Sequence, residues 1–599
     1  MELKNKYKAR KPEETIQIIT DFFTNKGCQV QCTKIWNSEI GTFSCQYNLT
    51  FRGHKILTTY GKGATKIYSQ ASGLGELYER FCAFPVSCWN SLGYNEFQKA
   101  NYKKHKYYLN EKEQQNNIHQ LLENNFTAPY IINANNQKDE KLLEDIFNIR
   151  IGDVLCTVPY KNLDTTLPQQ EIYTSPLLHG YTSGSNGLAA GNTIEEALIQ
   201  GISELYERYA QTLFSMQTKT TYYYLNPNNF SDNIQRLIKN ITNLGYETKV
   251  YDLSYNFNIP VCMILLINKK SHHYYCHFGA FPILDIAVER CFTEIYQELT
   301  SLKEDETEQG YTKIYENSHV SLDMVTMNSE GSQPEIFLNY NLIINSKMVN
   351  TCNDIIFLTT KDYDNNTILQ HINKINAINH KQFFYYDLSL IPEMAAVHIV
   401  CDDFNYTNLA KSFLNNYTED YNENPTQFKT IITITKQFLD LCKRYFSNNE
   451  PKEISNELNN IIQQIPVEDL NLRLTYLNGI SYILAHQIID PWRCWYDVDQ
   501  YFNMVIPYYL VGFMENVTYA QTSDFAKNLI PLEFYYNYCI KDKHPLNEYN
   551  DIMDFLGIQE AKLQQPLLPA EFIEKAIFKN LQSIYTSQDF QDFINLFVK

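Results

Sequence analysis

The segment ELYER is written twice in this chain, at 76–80 and again at 204–208, within QASGLGELYERFCAF and IQGISELYERYAQTLF. Both stretches space their apolar residues as a helix does. Leu74, Leu77, Tyr78 and Phe81 form one stripe, and Leu198, Ile202, Leu205, Tyr206 and Tyr209 form the other. Any fold for this chain must therefore bury two amphipathic helices whose other sides carry charge. Residues three and four apart share a helix face, so Glu76 and Glu79 project together with Arg80 one turn on, and Glu204, Glu207 and Arg208 repeat the arrangement. Two such helices packed together bring four carboxylates to one place.

Four carboxylates are hard oxygen ligands, suited to Mg²⁺ rather than to Zn²⁺ or Cu⁺, and such an ion usually shares its sphere with phosphates. A di-iron site wants Glu-x-x-His from its helices, and neither turn supplies a His. The plain alternative is a pair of solvated i,i+4 salt bridges, each contributing a few tenths of a kcal/mol. The duplication weighs against it, and so does the text before the second copy, SGSNGLAAGNTIEEALIQ. There the glycine-rich run 183–192 leads to Thr193, an N-cap residue, with Glu196 placed to complete a capping box. A glycine-rich loop feeding a helix N-terminus is a phosphate cradle in general form. It is neither GxxxxGK[ST] nor GxGxxG, so a common nucleotide motif is not written here.

Two further segments fit. YGKGATKIYSQAS precedes the first copy and offers Lys62 and Lys66, to meet phosphate or to stay solvated. GAFPILDIAVERCFTEIYQEL sets Arg290 and Glu294 four apart on a helix. The cluster SHHYYCH, with His272, His273, Cys276 and His277, reads as a strand whose alternate residues face opposite ways, which favours packing over a zinc site. DPWRCWYDVD reads as aromatic core of a helical region.

A chain of 599 residues exceeds what one core serves, so at least two domains are expected. Residues 8–400 alternate strand-like text (VCMILLINKK, AAVHIVCDDF) with helical text (EETIQIITDFFTNKG, starting inside Pro12 and stopping at Gly), which predicts an α/β or α+β domain over 1–415. A polar insertion at 90–170 covers one side of it, and 425–599 reads as all-helical. The formal charge of −18 argues against a nucleic-acid footprint. The start has no signal-peptide core, and MVIPYYLVGFM is shorter than the roughly 18 residues a membrane span needs. Fourteen cysteines without a CxxC fit a reduced cytoplasm.

The set GKGAT…ASGLGELYERF, SNGLAAGNTIEEALIQGISELYER and FGAFPILDIAVERCFTE, in this order and spacing, resembles the YcaO superfamily, in particular its stand-alone long bacterial branch with a tetratricopeptide-like C-terminal domain. The resemblance implies an ATP- and Mg²⁺-dependent enzyme that phosphorylates a peptide-backbone amide oxygen, with Cys, Ser or Thr side chains or external sulfide as nucleophile, giving azolines or thioamides. It assigns Glu76, Glu79, Glu204 and Glu207 to Mg²⁺ and nucleotide, Asn192, Glu196 and Arg208 to nucleotide, and Arg290 and Glu294 to the third segment's part of the site, Glu294 among the metal carboxylates. Arg208 and Arg290 balance charge in phosphoryl transfer. YKARKPEETI resembles the family's opening, which puts Lys8 on phosphate or adenosine and Thr15 at a Ser-like position.

Two departures stand out. Ala189 replaces a Ser of the glycine-rich loop and leaves only its backbone N–H for the nucleotide, and the end QDFINLFVK has no PxPxP tail. Members of the branch are associated with methylthiolation of a small-subunit ribosomal protein. This leaves a rival reading as a nucleotide-binding accessory factor, and a third as a helical scaffold without nucleotide. The expected partners are a peptide or protein substrate, a sulfur-delivery, leader-binding or methylthiolating protein, and a second copy in a homodimer; no nucleic acid or membrane is expected.

Overall fold

The computed structural model describes residues 8–52, 54–87, 156–163, 185–215, 222–270, 273–295 and 364–401. It also describes short segments at 106–107, 171–174, 312–313, 323–325, 336–338 and 346–349, and positions 460, 588, 592 and 596. Internal contacts divide the chain into two units: Met1–Ser87, Gln120–Ile132 and Thr157–Lys411 form the first, and Cys88–His119, Asn133–Cys156 and Ser412–Lys599 the second. The second is described only at the two-residue strand Lys106–Tyr107, at Cys156 and at the isolated positions. Most of the expected 90–170 insertion and nearly all of the expected helical 425–599 domain, with MVIPYYLVGFM and DPWRCWYDVD, lie outside the described residues.

The first unit is a mixed helix and strand fold. In chain order its main elements begin with α1 (Pro12–Asn25), β1 (Cys28–Asn37), β2 (Phe43–Phe51), β3 (His54–Gly63) and α2 (Lys66–Ser87). Next come β4 (Cys156–Asn162), β5 (Glu171–Thr174), β6 (Leu188–Gly191), α3 (Ile194–Ser215), β7 (Tyr223–Leu225) and α4 (Asp232–Asn243). The remainder are β8 (Tyr246–Asp252), β9 (Val261–Asn268), β10 (His273–Ala280), α5 (Leu284–Glu294), β11 (Lys347–Val349), α6 (Asn365–Ile378), β12 (Phe383–Asp387) and β13 (Ala395–Cys401).

Proline at the first helical position starts α1, and Gly27 at φ +77 closes the turn after it. The buried face of α1 presents Phe22 and Phe23, which meet Tyr78 and Phe81 of α2 edge-on at 5.4 and 5.1 Å. Beneath them lies the antiparallel sheet β1-β2-β3, with Cys45, Tyr47 and Leu49 turned inward. Helix α2 sits almost on the backbone of β3. A Cβ on Gly61 would stand 2.0 Å from the Ser69 carbonyl oxygen and 2.4 Å from the Gly73 nitrogen, so only glycine allows this approach.

A second sheet includes the antiparallel order β4-β12-β13-β6, with β5 also on β4. A third runs β10-β9-β8-β7-β11, antiparallel except for the parallel β7–β11 pair. Strand β9 is buried from Val261 to Leu266, as its unbroken apolar text requires. Helix α3 packs against β6, β13, β10 and α6, so its stripe lies at the centre of the core. Tyr206 is completely buried there and donates its hydroxyl proton to Asn376 Oδ1 at 2.7 Å. Among the described residues, no helix is long and apolar enough to cross a membrane.

Candidate active site

Helix α2 touches β6 and β13, the strands on which α3 rests, so the two ELYER turns come to one cleft. It is a cavity of about 930 Å³ lined by Glu76, Glu79 and Arg80 of α2, Glu204, Glu207 and Arg208 of α3, and Arg290 and Glu294 of α5. Arg80 lies 3.7 Å from both Glu76 and Glu79. Arg208 lies 3.8 Å from Glu204 and 3.7 Å from Glu207. The Arg80–Glu76 pair is about a third exposed, at 35% and 31%, whereas the side chains of Glu79, Glu207 and Arg208 keep only 15%, 11% and 15% of their exposure.

The turns also act on each other. Burial, with Glu76 and Glu204 nearby, pushes the Glu79 carboxyl up to about 8, against Arg80 and the Ala190 N–H. Burial and Glu207 push Glu204 up, against Arg208, Arg80 and Arg290. Each helix thus feels the charges of the other.

At the start of α3, Thr193 Oγ1 accepts from the Glu196 N–H at 3.3 Å, as the N-cap spacing predicts. The other half of the capping box is replaced. The Glu196 carboxylate accepts from Asn192 N at 3.0 Å, from Asn192 Nδ2 at 2.9 Å and from the Ala9 N–H, while Lys8 Nζ stands 3.6 Å away. Burial opposes its charge, yet Lys8 and these donors outweigh it and hold the carboxyl below the usual range. Thr15 donates to Asn192 Oδ1 at 2.6 Å. The N-terminal stretch carrying Lys8 and Thr15 is thereby tied to Asn192 and Glu196.

Three expectations need correction. Ala189 does not line the cavity: it is fully buried opposite Val397, and alternation along β6 turns Leu188 and Ala190 to the cleft. Glu294 does not pair with Arg290 along α5 but bonds Lys62 of β3, while Arg290 donates to the Ala280 carbonyl at 2.8 Å. Lys62 is pushed down to about 8 by burial and by Arg290 and Arg208, against Glu76 and Glu207. Finally, Glu76, Glu79, Glu204, Glu207 and Glu294 share a cleft but not one coordination sphere. Among the described residues no three His, Cys, Asp or Glu side chains are placed to hold a metal ion: Glu76 and Glu79 share Arg80, Glu204 and Glu207 share Arg208, and Glu294 bonds Lys62.

The donor set nevertheless fits Mg²⁺ with a nucleotide. Mg²⁺ is bound by one or two carboxylates with waters and phosphates rather than by an all-protein cage, and carboxyls held high by burial and by one another are those a divalent cation stabilises. Lys62, Arg80, Arg208 and Arg290 supply positive charge for phosphates on the same walls.

The sequence reading missed His277 as a neighbour of the site. Burial, Lys62 and Arg208 push it down to about 3, so it is a neutral imidazole. Its only signal was its place on the strand entering the third motif. Cys276, next to it, is pushed up to about 12 by burial, and no metal cluster forms there among the described residues.

Fold and cleft together define a mixed α/β protein whose carboxylates and cations converge on a phosphate- and Mg²⁺-compatible site. The chain belongs to the YcaO family: the family model described as YcaO cyclodehydratase, ATP- and Mg²⁺-binding, matches residues 60–400, more than half of the chain. ATP and Mg²⁺ are therefore the cofactors of the family to which this cleft belongs. The chain is 28% identical over 254 residues to the ribosomal protein S12 methylthiotransferase accessory factor YcaO of Escherichia coli K12. It is 28% identical over 243 residues to an uncharacterized protein of Haemophilus influenzae Rd. Each match spans 40% of this chain and 40% of the relative. The solved YcaO of Methanopyrus kandleri bound with AMPPCP and Mg²⁺ aligns at 14% identity with a TM-score of 0.39, covering 66% of this chain and 91% of that one.

Proposed function

We propose that this chain activates a backbone amide of a peptide or protein at the expense of ATP. The observation that supports this reading is the convergence of the two ELYER turns on one cavity that Lys62 and Arg290 also line. ATP, when bound, would supply the phosphoryl group that turns the amide oxygen into a leaving group, and Mg²⁺ would offset the charge of its phosphates. The one or two carboxylates that would hold the metal come from among Glu76, Glu79, Glu204, Glu207 and Glu294. Arg208, Arg290 and Lys62 face them and balance the charge that develops on the transferred group. Asn192, Glu196, Lys8 and Thr15 form the hydrogen-bonded wall on which the rest of the nucleotide lies.

The products in view are azolines, from a neighbouring Cys, Ser or Thr, or thioamides, from external sulfide. The name of the Escherichia coli relative favours a second reading, an accessory factor that binds nucleotide and assists methylthiolation of a ribosomal protein without peptide turnover. The two-domain layout, 1–415 catalytic and 425–599 for dimerisation or partner contact, belongs to the same proposal.

The test is calorimetry of Mg²⁺-dependent ATP binding on wild type, Glu79→Gln and Glu207→Gln. Binding that needs Mg²⁺ and is lost in either variant supports one shared site. ATP binding unchanged in both variants would sink it. Phosphate release that rises with added peptide separates the enzyme from the accessory factor.

A further inference from the structure

The cavity continues beyond the carboxylates onto the outer face of the β1-β2-β3 sheet, where Lys34, Trp36, Gln46 and Tyr60 line it. The backbone explains why they meet there. Cys32 pairs with Tyr47 on the inner face, then a bulge between Cys32 and Lys34 shifts the register so that Lys34 pairs with Gln46 and Trp36 with Ser44. Without that extra residue Lys34 and Trp36 would face inward; the bulge re-aims both. Across the next pair Gln46 meets Tyr60 and Ser44 meets Lys62. Two cross-strand rows result, Lys34–Gln46–Tyr60 and Trp36–Ser44–Lys62, and the second ends on the lysine that bonds Glu294.

The charge of this surface is the reverse of the chain's. The chain holds 68 acidic residues and a formal charge of −18, yet the three strands contain neither Asp nor Glu. Tyr60 is 37% exposed and Lys34 is exposed, its ammonium 5.1 Å from the Trp36 ring centroid. From Trp36 to Lys62 is two strand spacings, about 10 Å, the reach of about three residues of extended peptide.

We propose that this face docks the substrate segment next to the activated amide, and that the segment is extended and acidic. Trp36 and Tyr60 offer ring faces to peptide planes, the Gln46 amide meets the backbone, and Lys34 meets carboxylates. The row through Lys62 leads the chain to the carboxylate cluster. This rests on the proposed amide activation, since it places the acceptor beside that site.

The test uses the full chain and two fluorescein-labelled decapeptides, each a Cys within Gly and Ser, flanked by four Asp or by four Lys. Polarisation is read with a non-hydrolysable Mg²⁺–ATP analogue present. The Asp peptide is expected to bind roughly tenfold tighter than the Lys peptide, and increasingly weakly as salt rises. Lys34→Glu and the double variant Trp36→Ala, Tyr60→Ala should each weaken it by about tenfold, with Mg²⁺–ATP affinity and melting temperature unchanged. Equal binding of both peptides, or none, overturns the docking surface, as does a loss of Mg²⁺–ATP affinity in the double variant, which would put the nucleotide base on those rings. If the wild type binds no Mg²⁺–ATP, it is the proposed function that fails, and the peptide preference is then read separately.

Discussion

The hydroxyl of Tyr160 on β4 lies 2.7 Å from Nδ1 of His398 on β13, both buried, with Tyr386 of β12 between their strands. His398 also hydrogen-bonds the Asn186 backbone, and the Ile399 N–H donates to Gly187 O at 2.9 Å. Gly187 sits at φ +87, where a Cβ would stand 2.3 Å from the Ile399 carbonyl oxygen. Two successive residues of β13 therefore clamp the turn that leads into β6 and the cleft. Tyr160→Phe leaves the buried imidazole without that partner and should cost about 1–3 kcal/mol in urea unfolding. It should also weaken Mg²⁺–ATP binding by loosening the turn. An unchanged urea midpoint would show that the clamp adds nothing.

Acid should destabilise the protein through His398, which is buried, and His277, which is half-buried. Burial pushes His398 down to about 4 and, with Lys62 and Arg208, pushes His277 down to about 3, whereas both titrate near 6.5 when unfolded. The folded state binds fewer protons, so this stability is complete above about pH 6.5 and is lost as pH falls through the folded values. Melting temperatures of wild type and His277→Gln between pH 7 and 4 should converge on acidification. Parallel curves would refute the assignment.

Glu79 has the opposite sign. Its carboxyl is raised by burial and neighbouring carboxylates to about 8, so the ligand-free folded protein binds more protons than the unfolded chain between about pH 4.5 and 8. That stability is present below the unfolded value and is lost as pH rises through the folded one. Without nucleotide or metal, Glu79→Gln should therefore raise the melting temperature more at pH 8 than at pH 5, while removing Mg²⁺–ATP binding.

The glycine contact under α2 gives a mechanical test. Gly61→Ala places a methyl against the Ser69 carbonyl oxygen, and α2 must lift from β3. Overpacking of this kind costs about 1–3 kcal/mol. Because α2 carries Glu76 and Glu79, Mg²⁺–ATP affinity should fall with stability. Gly75→Ala, on the same helix with open space around it where it lines the cleft, should leave stability nearly unchanged.

Local periodicity made much of this legible. The ELYER helices, the strands Val261–Asn268 and Ala395–Cys401, the Pro12 start of α1 and the Thr193 cap are all written within a few residues of themselves. What stayed hidden depends on register and on packing between distant elements. Spacing along α5 offered Arg290 to Glu294, but the approach of β3 gave it Lys62. Spacing also offered a complete capping box, but Ala9 and Asn192 took the carboxylate of Glu196. One residue of strand phase decided that Ala190, not Ala189, meets the cleft, and one bulged residue turned Trp36 toward it.

Strand β13 carries a consequence for synthesis. It ends at Cys401 and packs against both α2 and α3, while Arg10 donates to the carbonyl of Glu393 just before it. The two ELYER turns are translated long before this strand, and contacts so distant in sequence form only once both ends have been made. A nascent chain halted after α3 holds all four carboxylates of the duplicated motif yet lacks the wall on which they meet. The cleft therefore dates from the arrival of a strand with no acidic side chain of its own.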